Sequence, residues 1–197
     1  MSTSIATGFN EETHQLFLSG REEPEWLHSF RREARADFDR LAWPTRNEEE
    51  WIRTDIRLFK PDKYAVTSAP IGDPEVTPLL SQGVELGGQS ITVNGVRTTS
   101  ELSETYQQQG VVFGSLEQAI ESHGDLVEQH LGRAVTAGFD RFSALNAAYW
   151  SGGHFLYVPK GVVVEHPFHA LSVLSDGATD FGRILVILEE GAEATFL

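Results

Sequence analysis

Residues 154–169 read HFLYVPKGVVVEHPFH, and here the sequence changes from helical to strand patterns. β-Branched and aromatic runs lie on both sides of a Pro-Lys-Gly turn at 159–161, and similar runs follow in FHALSVL, RILVILEE and AEATFL. Short strands joined by compact turns, with no helix between them, favour a β-sandwich, a barrel or a β-helix. We see no strict repeat, so periodicity leaves these three architectures open for residues 151–197.

The same stretch carries three candidate metal ligands, His154, His166 and His169. A metal site needs converging neutral imidazoles, usually with a carboxylate. Successive residues of a strand face opposite sides, so a regular strand points His166 and His169 apart, and the turn at 159–161 separates both from His154. We therefore predict structural histidines and no metal site. One alternative stays open, in which Pro167 bends the strand and brings two imidazoles together.

The first 60 residues are predicted to form a helical region. After Pro24, apolar residues recur every three or four positions, which indicates an amphipathic helix that ends before Pro44. Its predicted apolar stripe is Trp26, Phe30, Ala34, Phe38 and Leu41, and its predicted opposite face is Arg31, Arg32, Arg35, Asp39 and Arg40. Asn47 is predicted to cap a short second helix.

The middle of the chain divides into two predicted segments. Residues 61–80 hold four prolines among small and polar residues, which indicates an extended connector. Residues 81–150 are predicted to be mixed α/β, with a hairpin at 91–98 because Asn94–Gly95 is a strong two-residue turn. Helical patterns follow at 114–131 and 139–150. The last segment, 151–197, ends in the apolar run ATFL, so we expect the sheet to continue beyond Leu197, in further residues or in a partner chain.

The composition excludes several classes of function. A formal net charge of −14 disfavours nucleic acid and anionic lipid as partners. The absence of cysteine removes disulfides, thiol nucleophiles and thiolate ligands, and it agrees with a reducing compartment. No apolar run approaches the roughly 20 residues that a membrane helix needs, so we expect no membrane partner. The sequence also carries no phosphate-binding loop, dinucleotide fingerprint or nucleophile elbow, and we expect the protein not to be an enzyme.

Four segments are informative when taken together and in order. They are EPEWLHSFRREARADFDRLAWP; NEEEWIRTD, with an E-x-W-x-x-T pattern at Glu49, Trp51 and Thr54; FSALNAAYWSGGHFLYVPKGVVVEHPFH; and GRILVILEEGAEATFL. In order and spacing they resemble the N-terminal half of the SufB/SufD family of iron–sulfur cluster assembly proteins, more on the SufD side. The structural motif residues that we take from this resemblance are Trp26, Trp51, Asn146, Pro159, Glu165 and Pro167.

The resemblance implies an α+β fold, with a helical N-terminal domain followed by the first rungs of a right-handed parallel β-helix. It also implies a cytoplasmic scaffold subunit that pairs with a SufB-like partner and with SufC, the ATPase subunit. The iron–sulfur cluster is then associated with the parent complex, and no cofactor is expected on this half. The cysteine associated with cluster assembly in the SufB branch has no counterpart here.

Two functional hypotheses of different classes follow. The first is a non-catalytic scaffold that acts by protein–protein association, for which an unfinished β-wall offers edges for strand addition. The second is a metal-dependent β-barrel enzyme of cupin type that uses His154, His166 and His169. The second hypothesis ranks lower because the sequence lacks a close H-x-H pair on one strand face.

Overall fold

The computed structural model describes residues 7–64, 82–175 and 179–197. It confirms a mixed α+β fold, with helices α1 Glu11–Ser19, α2 Glu25–Arg40, α3 Glu104–Gln108, α4 Leu116–His130 and α5 Arg141–Tyr149. The strands are β1 Gly88–Val93, β2 Val96–Leu102, β3 Val112–Ser115, β4 Gly153–Val158, β5 Phe168–Val173 and β6 Arg183–Leu188. Single turns of 3₁₀-helix lie at Glu49–Trp51, Ile56–Leu58 and Pro61–Lys63.

The described chain divides into two compact units. The first combines residues 7–64 with 130–150, and the second combines 82–129 with 151–175 and 180–197. Helix α5 packs against α2 and lies in the first unit, while residues 82–129 of the predicted mixed segment 81–150 lie in the second. The predicted Pro-rich connector at 61–80 lies outside the described residues except for its first four positions.

The first unit is a helical assembly with an aliphatic and aromatic core. Asn10 caps α1 through a reciprocal pair of hydrogen bonds with Thr13, both 3.0 Å, which satisfies two backbone donors at the helix start. Leu27 and Ala34 of α2 are buried, as are Ala144 and Ala148 of α5. Small alanine side chains on α5 let the two helices approach closely.

The predicted polar face of α2 is partly wrong. Arg31 is fully buried and Arg35 is 6% exposed, so both belong to the packed side of the helix. The guanidinium of Arg31 donates to both carboxylate oxygens of Glu23 and to the carbonyl oxygen of Trp150, 2.8 Å away. A buried charge is tolerated when it is paired and hydrogen-bonded in this way, and the amphipathic pattern alone does not reveal such partners.

The second unit holds two three-stranded sheets, of order β2-β1-β5 and β3-β4-β6. In each sheet one pair is antiparallel (β1 with β2, β3 with β4) and one is parallel (β1 with β5, β4 with β6). Asn94 and Gly95 join β1 to β2 with φ of 51° and 77°, the two positive values that a tight hairpin turn requires. The core of this unit is formed by Tyr106, Val111, Phe113, Leu156, Val158, Val164 and Phe168.

Two of the parallel pairings join residues that are the same number of positions apart. His154 pairs with Ile184, and Val163 forms an isolated bridge with Glu193, so both pairs join residues 30 positions apart. The stretch after β4 thus runs beside the stretch after β6 through turns as well as strands.

Among the helices of the described ranges, none combines the length and the apolar character that a bilayer crossing requires.

Candidate functional site

His154, the first of the three histidines, lies between two serine hydroxyls in the second unit. Its Nδ1 is 2.9 Å from Ser90 Oγ and its Nε2 is 3.2 Å from Ser172 Oγ, and Thr92 donates in turn to Ser172. The side chain is buried, and this burial, with His169 nearby as a second cause, lowers the pKa of His154 below its ordinary value. A neutral imidazole supplies one donor and one acceptor, so two hydroxyls satisfy both nitrogens.

His169 lies on the other face of its strand from these serines. Along β5, Phe168, Ala170 and Ser172 share one side, and His169 points to the opposite one. Its Nδ1 contacts the side-chain amide of Gln89 at 3.2 Å, beside the parallel pairing of these two residues. His169 is 2% exposed, so it serves as a buried cross-strand partner.

His166 lies before β5 and has different surroundings. Its Nε2 is 3.6 Å from the carboxylate of Glu85, and its backbone N–H donates to the hydroxyl of Tyr106 at 3.2 Å. The three histidines therefore do not converge on one point. Within the ranges that the structure describes, no group of three or more potential ligands of the His, Cys, Asp or Glu type could hold a metal ion.

The motif residues of the first unit take packing and capping positions. Trp51 stacks on the ring of Phe142, with centroids 5.1 Å apart and planes 14° from parallel. The carbonyl oxygen of Asn146 accepts from the N–H of Trp150 at 2.8 Å, where α5 ends. Trp26 is half-buried on α2. Any further role of these residues stays a prediction.

The motif residues of the second unit shape the path between β4 and β5. The carbonyl oxygen of Pro159 accepts from Val162 at 3.1 Å, and that of Pro167 accepts from Gly87 at 2.9 Å. Glu165 is exposed. Pro167 directly precedes β5, so any bend that it imposes falls at the start of the strand and does not bring His166 beside His169.

A second candidate site is an apolar surface on β6. Residues paired in parallel strands point to the same side of a sheet, so each alternate residue of β6 lies over one of β4. Ile184, Val186 and Leu188, which we call the end face, lie over His154, Leu156 and Val158 respectively.

The end face is exposed although the residues beneath it are buried. Leu156 and Val158 are 1% and 0% exposed, whereas Val186 and Leu188 are 42% and 46% exposed and Ile184 is 62% exposed. Contiguous exposed apolar side chains that continue a core mark a surface suited to association. Among the described strands, β6 is paired with β4 alone.

Sequence reasoning anticipated an unpaired sheet edge but did not find the end face. A signal for it exists in the two turns that follow β4 and β6. Gly161 ends the Pro-Lys-Gly turn and Gly191 ends the Glu-Glu-Gly turn, both with φ of 72°, and the N–H of Gly161 donates to the carbonyl oxygen of Glu190 at 3.0 Å. Aligning these two glycines superimposes HFLYV on ILVIL and reveals the 30-residue interval.

These features define a class of protein, a mixed α+β chain in which β4 and β6 pair in parallel 30 residues apart and β6 presents an exposed apolar face. The chain belongs to the SufBD family: residues 7–169 match the family model described as the SufBD protein N-terminal region. The family predicted from the sequence, and the assignment to its N-terminal region, are thus confirmed.

Curated relatives agree with this assignment. The chain is 29% identical to an iron–sulfur cluster assembly SufBD family protein of Synechocystis sp., over 98% of this chain and 44% of the relative. It is 30% identical to a chloroplastic iron–sulfur cluster assembly SufBD family protein of Arabidopsis thaliana, over 100% of this chain and 38% of the relative. It is 27% identical to the iron–sulfur cluster assembly protein SufB of Bacillus subtilis, over 96% and 43%. The chain spans less than half the length of each of these three.

Proposed function

We propose that the chain is part of a non-catalytic, SufD-like scaffold subunit of the cytoplasmic SUF machinery for iron–sulfur cluster assembly. It acts by associating with SufB-like and SufC-like proteins. Family membership supports the pathway, and the observation that carries the mode of action is the exposed end face on β6. The dispersed positions of His154, His166 and His169 give no support to the cupin-type alternative.

The architecture that we propose for the β-region is a parallel β-helix. The pairs β4/β6 and Val163/Glu193, both at an interval of 30 residues, support a parallel β-helix whose first rungs lie here. We take the helix as right-handed because crossovers between parallel strands in one sheet have that hand in nearly all proteins.

The occupant that we propose for the end face is a parallel strand of the SufB-like partner. Such a strand would bury the side chains of Ile184, Val186 and Leu188 and pair with the backbone of β6, because a strand edge offers N–H and C=O groups to a second chain. Full burial of one such aliphatic side chain contributes about 1.5–3 kcal/mol, so three of them stabilise the complex substantially.

The iron–sulfur cluster is, in this proposal, the cargo of the parent complex. Thiolates are the usual ligands of such clusters, and the chain contains no cysteine. We therefore propose that no cluster is bound by this half and that ligands come from elsewhere in the complex.

The test is co-expression of the tagged 197-residue chain with SufB-like and SufC-like proteins of one genome, followed by size-exclusion chromatography with light scattering. We expect a complex at micromolar concentration. The variant Ile184→Lys should weaken it at least about tenfold, because a buried unpaired ammonium is strongly unfavourable.

Leu16→Lys is the matched control. Leu16 is also 62% exposed, but it lies on α1 of the first unit, so this variant should bind as the wild-type chain does. Absence of any complex with the wild-type chain would overturn the scaffold proposal. A complex weakened equally by both variants would overturn the role of the end face alone.

A further inference from the structure

The hairpin turn Asn94–Gly95 combines a reactive sequence with an unusually closed environment. In an asparagine–glycine pair the backbone nitrogen of glycine is unhindered, because glycine lacks a side chain. That nitrogen can attack the side-chain carbonyl carbon of asparagine. Asn94 is nevertheless 0% exposed and takes a φ of 51°. The fold therefore restricts a reaction that the sequence alone would allow.

The reaction is deamidation, and it needs water as its only co-reactant. Gly95 N forms a bond to Asn94 Cγ and loses its proton, while the bond from Cγ to Nδ2 breaks and ammonia leaves. The product is a cyclic imide. Water then opens either of its two C–N bonds and leaves aspartate or isoaspartate at position 94, with no change of oxidation state.

Ser175 holds the reacting amide at both of its polar atoms. The backbone N–H of Ser175 donates to Asn94 Oδ1 at 2.8 Å, and Asn94 Nδ2 donates to Ser175 Oγ at 3.1 Å. The backbone N–H of Asn94 also donates to the carbonyl oxygen of Val173, at 2.9 Å. Rotation of the side chain toward Gly95 N must break both bonds to Ser175, so the ground state is far from the geometry of attack.

The other side of the turn is closed by Ser151 and Asp180. A Cβ placed on Gly95 would come within 2.7 Å of both the carbonyl oxygen and Oγ of Ser151, and within 3.3 Å of Asp180 Oδ1. The turn therefore has little room to form a planar imide ring while it is packed against Ser151 and Asp180. Burial also keeps away the water that the second step consumes.

The product would not fit the same place. Aspartate at 94 has no N–H to donate to Ser175 Oγ, and it adds a negative charge one residue from Gly95, which lies against the carboxylate of Asp180. Burial raises the pKa of Asp180. Isoaspartate would lengthen the backbone of a turn that sets the pairing of Val93 with both Val96 and Val173. Either product would prevent the hairpin from packing again beside the end of β5.

We propose that Asn94–Gly95 is a latent deamidation site, closed by Ser175, that reacts with water only when the hairpin tip separates from the end of β5. Deamidation at Asn94 is irreversible, so the modified fraction of the protein measures how much of it has undergone this separation. It prevents correct pairing of β1 with β5, and its rate reports how often this part of the second unit opens.

The test compares deamidation of the wild-type chain when folded and in denaturant, at mildly alkaline pH. The readouts are the mass of the peptide that spans residue 94 and an enzymatic assay for isoaspartate. We expect the folded chain to react at least about a hundredfold more slowly, within the range that local opening equilibria cover. Equal rates in the two states would overturn the proposal without any variant.

The variant Ser175→Ala tests whether the hydrogen bonds of Ser175 restrain the side-chain amide of Asn94. It removes one of the two hydrogen bonds to the amide, and we expect deamidation of the folded chain to accelerate about fivefold. Its rate in denaturant should stay at the wild-type value. Ser175→Thr keeps the hydroxyl and should react nearly as slowly as wild type, while the exposed Asn47 provides an internal reference in every sample. A folded Ser175→Ala chain with the wild-type rate would contradict the role of Ser175.

Discussion

The guanidinium of Arg31, which is fully buried, donates hydrogen bonds to both carboxylate oxygens of Glu23, at 2.7 and 2.8 Å. Arg21 contacts the same carboxylate at 2.6 Å. Burial alone would raise the pKa of Glu23, but the Arg31 and Arg21 charges outweigh it and lower that pKa below its ordinary value. The segment before α2 is thus tied to the interior face of that helix by charge.

We predict that Arg31→Met destabilises the protein by about 3–5 kcal/mol, because it leaves a partly buried carboxylate with one partner fewer. Unfolding in urea, followed by circular dichroism, measures the change. Arg32→Met is the control, since Arg32 pairs with Glu25 on the exposed side of α2 and should cost no more than about 1 kcal/mol. Equal losses in the two variants would contradict the structural role of Arg31.

We predict a large difference between two glycine variants of nearly identical backbone conformation. Gly152 and Gly161 have φ of 69° and 72°. A Cβ on Gly152 would overlap the carbonyl oxygen of Gly95, whereas a Cβ on Gly161 meets nothing within 4 Å. Gly161→Ala should cost only the left-handed backbone penalty, about 1–2 kcal/mol.

Gly152→Ala should cost more than about 4 kcal/mol, because backbone must move to admit the methyl group. Thermal unfolding of the two variants side by side gives the comparison. If both lose the same stability, the close approach of Gly152 to the hairpin turn is not a determinant of the fold.

Local patterns predicted much of the secondary structure because they depend on near neighbours. The pair Asn94–Gly95 indicates its own turn, since both residues tolerate positive φ. The predicted apolar stripe of α2 likewise includes Ala34 and Phe38, and both are buried. In such cases the physical cause lies within a few residues of the effect.

The features that sequence reasoning missed depend on distant partners. Arg31 is buried because the carbonyl oxygen of Trp150 accepts from it across 119 residues. His154 is satisfied by Ser90 and Ser172, which lie on two other strands. His166 precedes β5 and contacts Glu85, whereas His169 contacts Gln89 within the sheet. No local pattern names the partners of a buried polar group.

We predict that the histidines of the strand region differ sharply in their contribution to stability. His154→Ala removes a buried ring and takes one hydrogen-bond partner from each of Ser90 and Ser172, so it should cost about 2–4 kcal/mol. His166→Ala removes a half-exposed side chain whose partner Glu85 is 81% exposed, and it should cost no more than about 0.5 kcal/mol. Urea unfolding at neutral pH measures both.

Metal analysis of the same variants separates the structural role from the cupin-type alternative. We expect the metal content of the purified protein to be unaffected by either substitution. Stoichiometric metal in the wild-type chain that disappears in the double variant His166→Ala/His169→Ala would favour the enzyme instead.

We predict that His14 makes the first unit sensitive to acid. His14 is 1% exposed and its ring lies edge-on to Tyr149, with centroids 5.1 Å apart. Burial and the nearby Arg35 charge lower the pKa of His14 to about 4. The folded state therefore keeps this imidazole neutral at a pH where the unfolded chain, with a pKa near 6.5, already binds a proton.

The sign of the pH dependence follows from this difference. Stability from His14 is complete above about pH 6.5, declines as the pH falls, and is lost by about pH 4, with a total change of up to about 3 kcal/mol.

His14→Phe keeps an aromatic ring in the site and removes the titration, so its free energy of unfolding should fall less between pH 7 and pH 4.5 than that of the wild type. The remaining decline is expected from His154, whose pKa is also lowered. His28→Gln, at a partly exposed position on α2, serves as the control and should retain the wild-type profile. A His14→Phe chain with a profile parallel to the wild type would exclude His14 as the source of the acid sensitivity.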